Sequence, residues 1–130
     1  MSNDTGTPSQ TVFAVDKLIS YMGDDQAGRT IIAKIVTDAI APGTAPLDLA
    51  ALALREQRVE DAARILHGLR GSIGSLGCQR FVTASLAVEL AMAQQRLADV
   101  PALFEQVEAE YRLALQQAAA WLQQHHTGAA

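Results

Sequence analysis

Apolar residues recur at helical spacing along almost the whole chain. Between residues 12 and 22, Val12, Val15, Leu18, Ile19 and Met22 fall on one face, which predicts a short first helix ended by Gly23. Asp24 and Asp25 then supply an N-cap and favourable charge for a second helix to about Ile40. That helix carries Ile31, Ile32, Ile35, Val36 and Ala39 at core spacing. The stretch APGTAP, residues 41–46, is a break. A third, shorter helix is expected over 47–54. A fourth covers 59–76, with Val59, Ala62, Ala63, Leu66, Leu69, Ile73 and Leu76 as its apolar positions and Gly77 as its stop. The fifth is expected over 79–96, with Val82, Leu86, Leu90 and Ala93 on its core face. Asp99 is placed to cap a sixth helix to about Gln124, with Pro101 tolerated in its first turn. Its core face includes Leu103, Val107, Tyr111, Ala114, Ala118 and Trp121. No extended alternation and no Asn-Gly or Asp-Gly hairpin turn competes with these helices.

The pattern predicts an all-α fold: a four-helix bundle of helices two, four, five and six, with the short first and third helices at one end. Residues 12–124 form the bundle in this reading. Residues 1–11, rich in Ser, Thr, Gly and Pro, are expected to be disordered, and residues 125–130 to be a frayed tail. A chain of 130 residues fits one domain. Only 5% of residues are aromatic, so the core must be built mainly from Ala, Leu, Ile and Val.

The formal net charge is -4 and the basic residues are scattered among acids, which argues against a nucleic-acid partner. The single cysteine, Cys78, excludes an internal disulfide and fits a reducing compartment. It is expected to be a small packing residue rather than a nucleophile. No apolar run reaches the roughly 20 residues of a membrane helix. The first ten residues are polar and lack the apolar stretch of a signal peptide. The expectation is therefore a cytoplasmic protein without membrane insertion.

One segment departs from good helix chemistry. In Ile65-Leu66-His67-Gly68-Leu69-Arg70-Gly71-Ser72-Ile73-Gly74, the apolar spacing demands a helix, yet three glycines lie inside it. Each costs about 0.5–1 kcal/mol relative to Ala. Leu66, Leu69, Ile73 and Leu76 set the core face, and His67 and Gly71, one turn apart, share a neighbouring face. Gly74, Ser75 and Cys78 continue along that side. The result is an imidazole beside a strip of very small side chains, with Arg64 and Arg70 three residues to either side. An imidazole is a nucleophile near neutral pH, and a guanidinium binds phosphoryl oxygens and offsets their charge. Close helix packing alone would explain one or two of the glycines on the core side. It does not readily explain Gly71 and Gly74 flanking the imidazole.

The segment resembles the motif of the histidine phosphotransfer (HPt) domains of multistep phosphorelays. That motif has the form His-x-Leu-Lys-Gly-Ser followed by a Leu-Gly pair. Here His67-Gly68-Leu69-Arg70-Gly71-Ser72 leads to Leu76-Gly77 at the family's spacing. Met22-Gly23-Asp24 is similar to the family's Gly-Asp junction, and the order of helices matches from about Val12 to Trp121. The resemblance implies that His67 is the phosphoacceptor, through Nε2. It implies that Arg70, standing where the family most often has Lys, stabilises the phosphoryl group, and that Gly71 leaves space for the partner. Arg64 and Gly74 are further candidates beside His67. Ile19 and Met22 on the first helix are candidate docking residues, although they could equally be core. Gly68 departs from the family pattern and adds flexibility to the helix.

The implied partners are response-regulator receiver domains, with a hybrid sensor histidine kinase as a further candidate, and the implied state is a monomer. No intrinsic cofactor is expected, because the Mg²⁺ would be supplied by the partner receiver. The chain lacks a GxxxxGK[ST] loop and a kinase signature, so it is expected to be a phosphocarrier without an ATP site rather than an enzyme. Three rivals remain. A sensor-kinase dimerisation hairpin carries His-Glu-Leu-Arg-Thr-Pro, which matches at His67, Leu69 and Arg70, but Gly71-Ser72 replaces Thr-Pro. An HPt-like module that has lost phosphotransfer would bind a receiver or another regulator. A metal site on His125 and His126 is disfavoured because adjacent residues do not share a helix face.

Overall fold

Asp25 starts the long N-terminal helix as expected, its carboxylate accepting the Gly28 N–H at 2.9 Å. In the computed structural model, which describes residues 11–125, the elements are α1 (Asp16–Met22), α2 (Gln26–Ile40), α3 (Ala45–Arg55), α4 (Val59–Gly74), α5 (Gln79–Ala93), a 3₁₀ turn (Leu97–Asp99) and α6 (Val100–Gln124). Among the described residues every regular element is helical. The predicted disorder of residues 1–10 and the tail beyond His125, His126 included, lie outside the described residues.

Four helices close a ring: α4 packs on α5, α5 on α6, α6 on α2, and α2 on α4. The core inside it is aliphatic with two rings at its centre. Phe81 and Tyr111 lie 5.5 Å apart, amid buried Ile32, Val36, Leu66, Ile73, Leu76, Val88 and Val107. The Tyr111 hydroxyl donates to the Gly43 carbonyl at 2.7 Å and ties the α2–α3 turn to α6. The third helix does more than close one end. α3 packs directly on α4 across a three-residue turn and buries Leu47, Ala50 and Ala53.

Several expectations are corrected. The first helix begins at Asp16 rather than Val12. Residues 11–15 run instead along the α4–α5 junction. Ala14 donates its N–H to the Leu76 carbonyl at 2.9 Å, and Arg80 donates its N–H to the Thr11 carbonyl at 2.9 Å. The Thr11 hydroxyl donates to the Gly77 carbonyl at 2.6 Å. Carbonyls at a helix C-terminus lack intrahelical partners, and this segment satisfies two near the end of α4. Thr11, placed with the disordered lead-in on sequence, is thus fixed. Gly77 makes the approach possible: its φ is +73°, and an added Cβ would stand 2.1 Å from the Ala14 carbonyl oxygen.

On α5 the expected core face is rotated. Phe81, Ala84, Ser85, Val88, Ala91 and Met92 are buried, whereas Leu86 and Leu90 are 49% and 53% exposed, Ala93 is exposed and Val82 is half-buried. Two apolar stripes run along this helix, and the one with the smaller residues lets α4 and α6 approach. Ile31 likewise faces outward, next to buried Ile32. Asp99 does not cap α6 with its side chain, because its carboxylate binds Arg96 at 2.7 Å. His125, expected in the frayed tail, bonds through Nδ1 to the Trp121 carbonyl at 2.9 Å and stacks on the Trp121 ring at 4.4 Å.

The stretch Gln26–Arg55 is, by length and composition alone, apolar enough to cross a membrane. The chain breaks it at residues 41–44 into helices of 15 and 11 residues, each short of the roughly 20 a span needs.

Candidate functional site

The core face of α4 is Ala62, Leu66, Leu69 and Ile73, all buried. One step around the helix, His67 is exposed to solvent, as the apolar spacing predicts. Arg70, one turn on, lies in the groove between α4 and α5 with its side chain only 15% exposed. Its guanidinium joins three groups. Nη2 lies 3.0 Å from His67 Nδ1, while Nη1 donates to the Ser85 hydroxyl at 3.0 Å and to the Glu89 carboxylate. Ser85 and Glu89, one turn apart on α5, thus hold Arg70, and Arg70 holds the imidazole. His67 Nε2 makes no hydrogen bond among the described residues.

The glycines separate into two kinds. A Cβ added at Gly74 would meet Val82 Cγ2 at 3.2 Å, so Gly74 lets α4 and α5 pack closely. At Gly68 and Gly71 an added Cβ meets nothing within 4 Å. Both are exposed, and no internal packing calls for them. Their effect is to leave bare helix backbone next to the imidazole, directly after His67 and one turn on.

Arg64 is brought to the neighbourhood but not to the ring. Its side chain is 73% exposed and binds Asp61 at 2.9 Å. Asp61 also accepts from Arg58, and the two hydrogen bonds, Arg58 first, hold its carboxyl below the usual carboxylate range. Ile19 and Met22 lie on α1, which packs on α2. Ile19 is half-buried against the core and Met22 is 39% exposed.

The site also contains residues that sequence patterning missed. Ser85 and Glu89 on α5 complete it, and Leu86 and Leu90 are exposed on the same helix. The contacts Gly74–Val82 and Arg70–Ser85 set the register of α4 against α5. In that register Glu89 stands level with His67 on the neighbouring helix. The available signal was a lone acid, Glu89, on an otherwise apolar stretch. Cys78 lies at the α4–α5 junction, wholly buried, and burial pushes its thiol up to about 12. That environment makes it a packing residue and not a nucleophile. Among the described residues no group of three His, Cys, Asp or Glu gathers as a metal site.

Residues 42–123, more than half of the 130, match the family model of the Hpt domain. This chain belongs to the Hpt domain family. The match spans α3 to α6 and stops just short of the end of α6, while α1 and α2 precede it. No curated protein and no solved structure matches the chain. Membership makes the chain a histidine phosphotransfer module of phosphorelays. Hpt domains are phosphocarriers rather than enzymes, and they work with receiver domains.

Proposed function

We propose that this Hpt chain accepts a phosphoryl group on Nε2 of His67 from the phosphoaspartate of a receiver domain and delivers it to the aspartate of another. The observation that carries this reading is the exposed His67. Its Nδ1 is held by Arg70 and its Nε2 is unbonded among the described residues, and Gly68 and Gly71 on the same helix have open space above them. Once Arg70 has left Nδ1 and the ring proton sits there, the lone pair of Nε2 attacks phosphorus in line, the P–O bond to the aspartate breaks, and its electron pair stays on the carboxylate. The ring then loses its remaining N–H proton to water, leaving a neutral phosphohistidine. Delivery to the second receiver is the reverse. Such transfer needs mainly positioning and compensation of charge.

The roles follow from placement. His67 is the acceptor. Arg70 supplies a permanent positive charge within reach of the phosphoryl oxygens. Gly68 and Gly71 admit the partner's active site, which brings its own Mg²⁺. The docking surface is the outward stripe of α5, with Leu86 and Leu90 beside the histidine, a more direct candidate than Ile19 and Met22 on α1. A cytoplasmic place, alongside receiver domains, belongs to the same reading. The chain is tested by incubation with phosphorylated receivers and Mg²⁺, with His67→Gln in parallel. Acid-labile, alkali-stable phosphate on the wild type alone supports the proposal. Receiver binding without such label on an intact fold would make the chain an interaction module.

A further inference from the structure

The proposed function gives Arg70 the role of a charge for the phosphoryl group, yet its guanidinium is turned onto the Nδ1 side of the imidazole. A guanidinium has donors and no acceptor. Its contact with Nδ1 at 3.0 Å therefore requires a lone pair on Nδ1. In a neutral ring the proton must then be on Nε2, the atom assigned to attack. A phosphohistidine substituted at Nε2 has the opposite property: its neutral form carries a lone pair on Nδ1, which Arg70 matches without rearrangement. The resting geometry thus complements the phosphorylated ring better than the attacking one.

We infer that Glu89 and Ser85 hold Arg70 as a latch on Nδ1 that prolongs the life of the phosphohistidine between encounters and opens during transfer. The inference rests on the assignment of His67 Nε2 as phosphoacceptor. In hydrolysis, water attacks phosphorus, the P–Nε2 bond breaks and its electron pair returns to Nε2. With a proton on Nδ1 the ring leaves as neutral imidazole. Without one it must leave as imidazolate, a far poorer leaving group. Arg70 occupies the lone pair that such a proton needs. When Arg70 swings toward the phosphoryl oxygens of a docked receiver complex, Nδ1 is free to carry a proton and Nε2 to act as nucleophile or leaving atom.

The charged groups around the ring are few. Arg64 and Arg70 come from α4, with Arg64 bound to Asp61, and Glu89 comes from α5. The other helices on α4 bring Asp48 and Arg55 (α3) and Arg29, Lys34 and Asp38 (α2), and none bonds to the imidazole among the described residues. Glu89 touches neither the ring nor the phosphate and is a positioning residue. Its side chain is 24% exposed, so Glu89→Gln leaves the core intact.

The test is nitrogen NMR of the His67 ring in the unphosphorylated chain, followed by decay of phosphate installed with phosphoramidate, a small donor that needs no receiver. Wild type is expected to show Nε2–H as the dominant neutral tautomer, with a mixture in Glu89→Gln and Arg70→Ala, and wild-type character retained in Glu89→Asp. Phosphohistidine in Glu89→Gln and Arg70→Ala is expected to decay about tenfold faster at mildly acidic pH, the scale of one charge-assisted hydrogen bond. The rates should converge in alkali, where no proton assists. A wild-type ring with its proton on Nδ1, or the same tautomers in all variants, would overturn the latch. So would equal decay rates. Because the ring measurement needs neither phosphate nor receiver, it decides the latch separately from receiver transfer.

Discussion

At the scale of single residues, the two exposed glycines of α4 separate stability from function. A methyl group at Gly68 or Gly71 meets open space, so Gly68→Ala and Gly71→Ala should each stabilise the isolated chain by about 0.5–1 kcal/mol in denaturant melts. Gly71→Ala should nevertheless slow transfer from a phosphorylated receiver, because the space it fills belongs to the partner. Destabilisation by either alanine would show that the backbone, not access, dictates the glycine. Cys78 gives a prediction in pH. Burial raises its folded value from 9.0 to about 12. Below pH 9 both folded and unfolded forms keep the thiol protonated, and the contribution to stability is complete. Between 9 and 12 the unfolded thiol ionises while the folded one does not, so stability falls, by up to about 1.4 kcal/mol per pH unit. Denaturant melts from pH 8 to 11 should fall more steeply for wild type than for Cys78→Ala, in which Tyr111, also raised by burial, still titrates. Parallel slopes would contradict this.

At the scale of elements, α5 is where sequence and structure part. Its two leucines fit a helical core pattern, but the bundle buries the stripe that carries Ala84, Ser85 and Ala91. Leu86→Gln with Leu90→Gln should therefore change stability by no more than about 0.5 kcal/mol per site, while weakening receiver binding several-fold in titrations. A loss of 2 kcal/mol or more per leucine, about the cost of removing a buried one, would restore them to the core. The apolar pattern of α4 was legible because its buried stripe is the only apolar one. The same patterning placed His67 and Gly71 on a common outer face. It could not choose between two apolar stripes on α5, nor find Ser85 and Glu89, which matter only through the packing of α5 against Arg70. The non-helical residues 11–15 escaped for a related reason: their partners, the Leu76 and Gly77 carbonyls and the Arg80 N–H, are 62 or more residues away.

At the scale of the molecule, the helical bundle holds the His67 ring on the outer face of α4. The ring of α2, α4, α5 and α6 buries the apolar side of α4, the α4–α5 groove receives Arg70, and the outer face presents His67 with the bare glycines Gly68 and Gly71. Family membership makes the chain a histidine phosphotransfer module, and the proposed function assigns the transfer to one atom, Nε2 of His67. The most direct measurement is therefore the site of phosphorylation. The chain would be mixed with a phosphorylated receiver panel and Mg²⁺, and the phosphate located by phosphorus–nitrogen NMR and by comparison with His67→Gln. The account predicts a single phosphohistidine, substituted at Nε2 of His67 and absent from the variant. Phosphate on His125, on another residue, or retained in His67→Gln would contradict it.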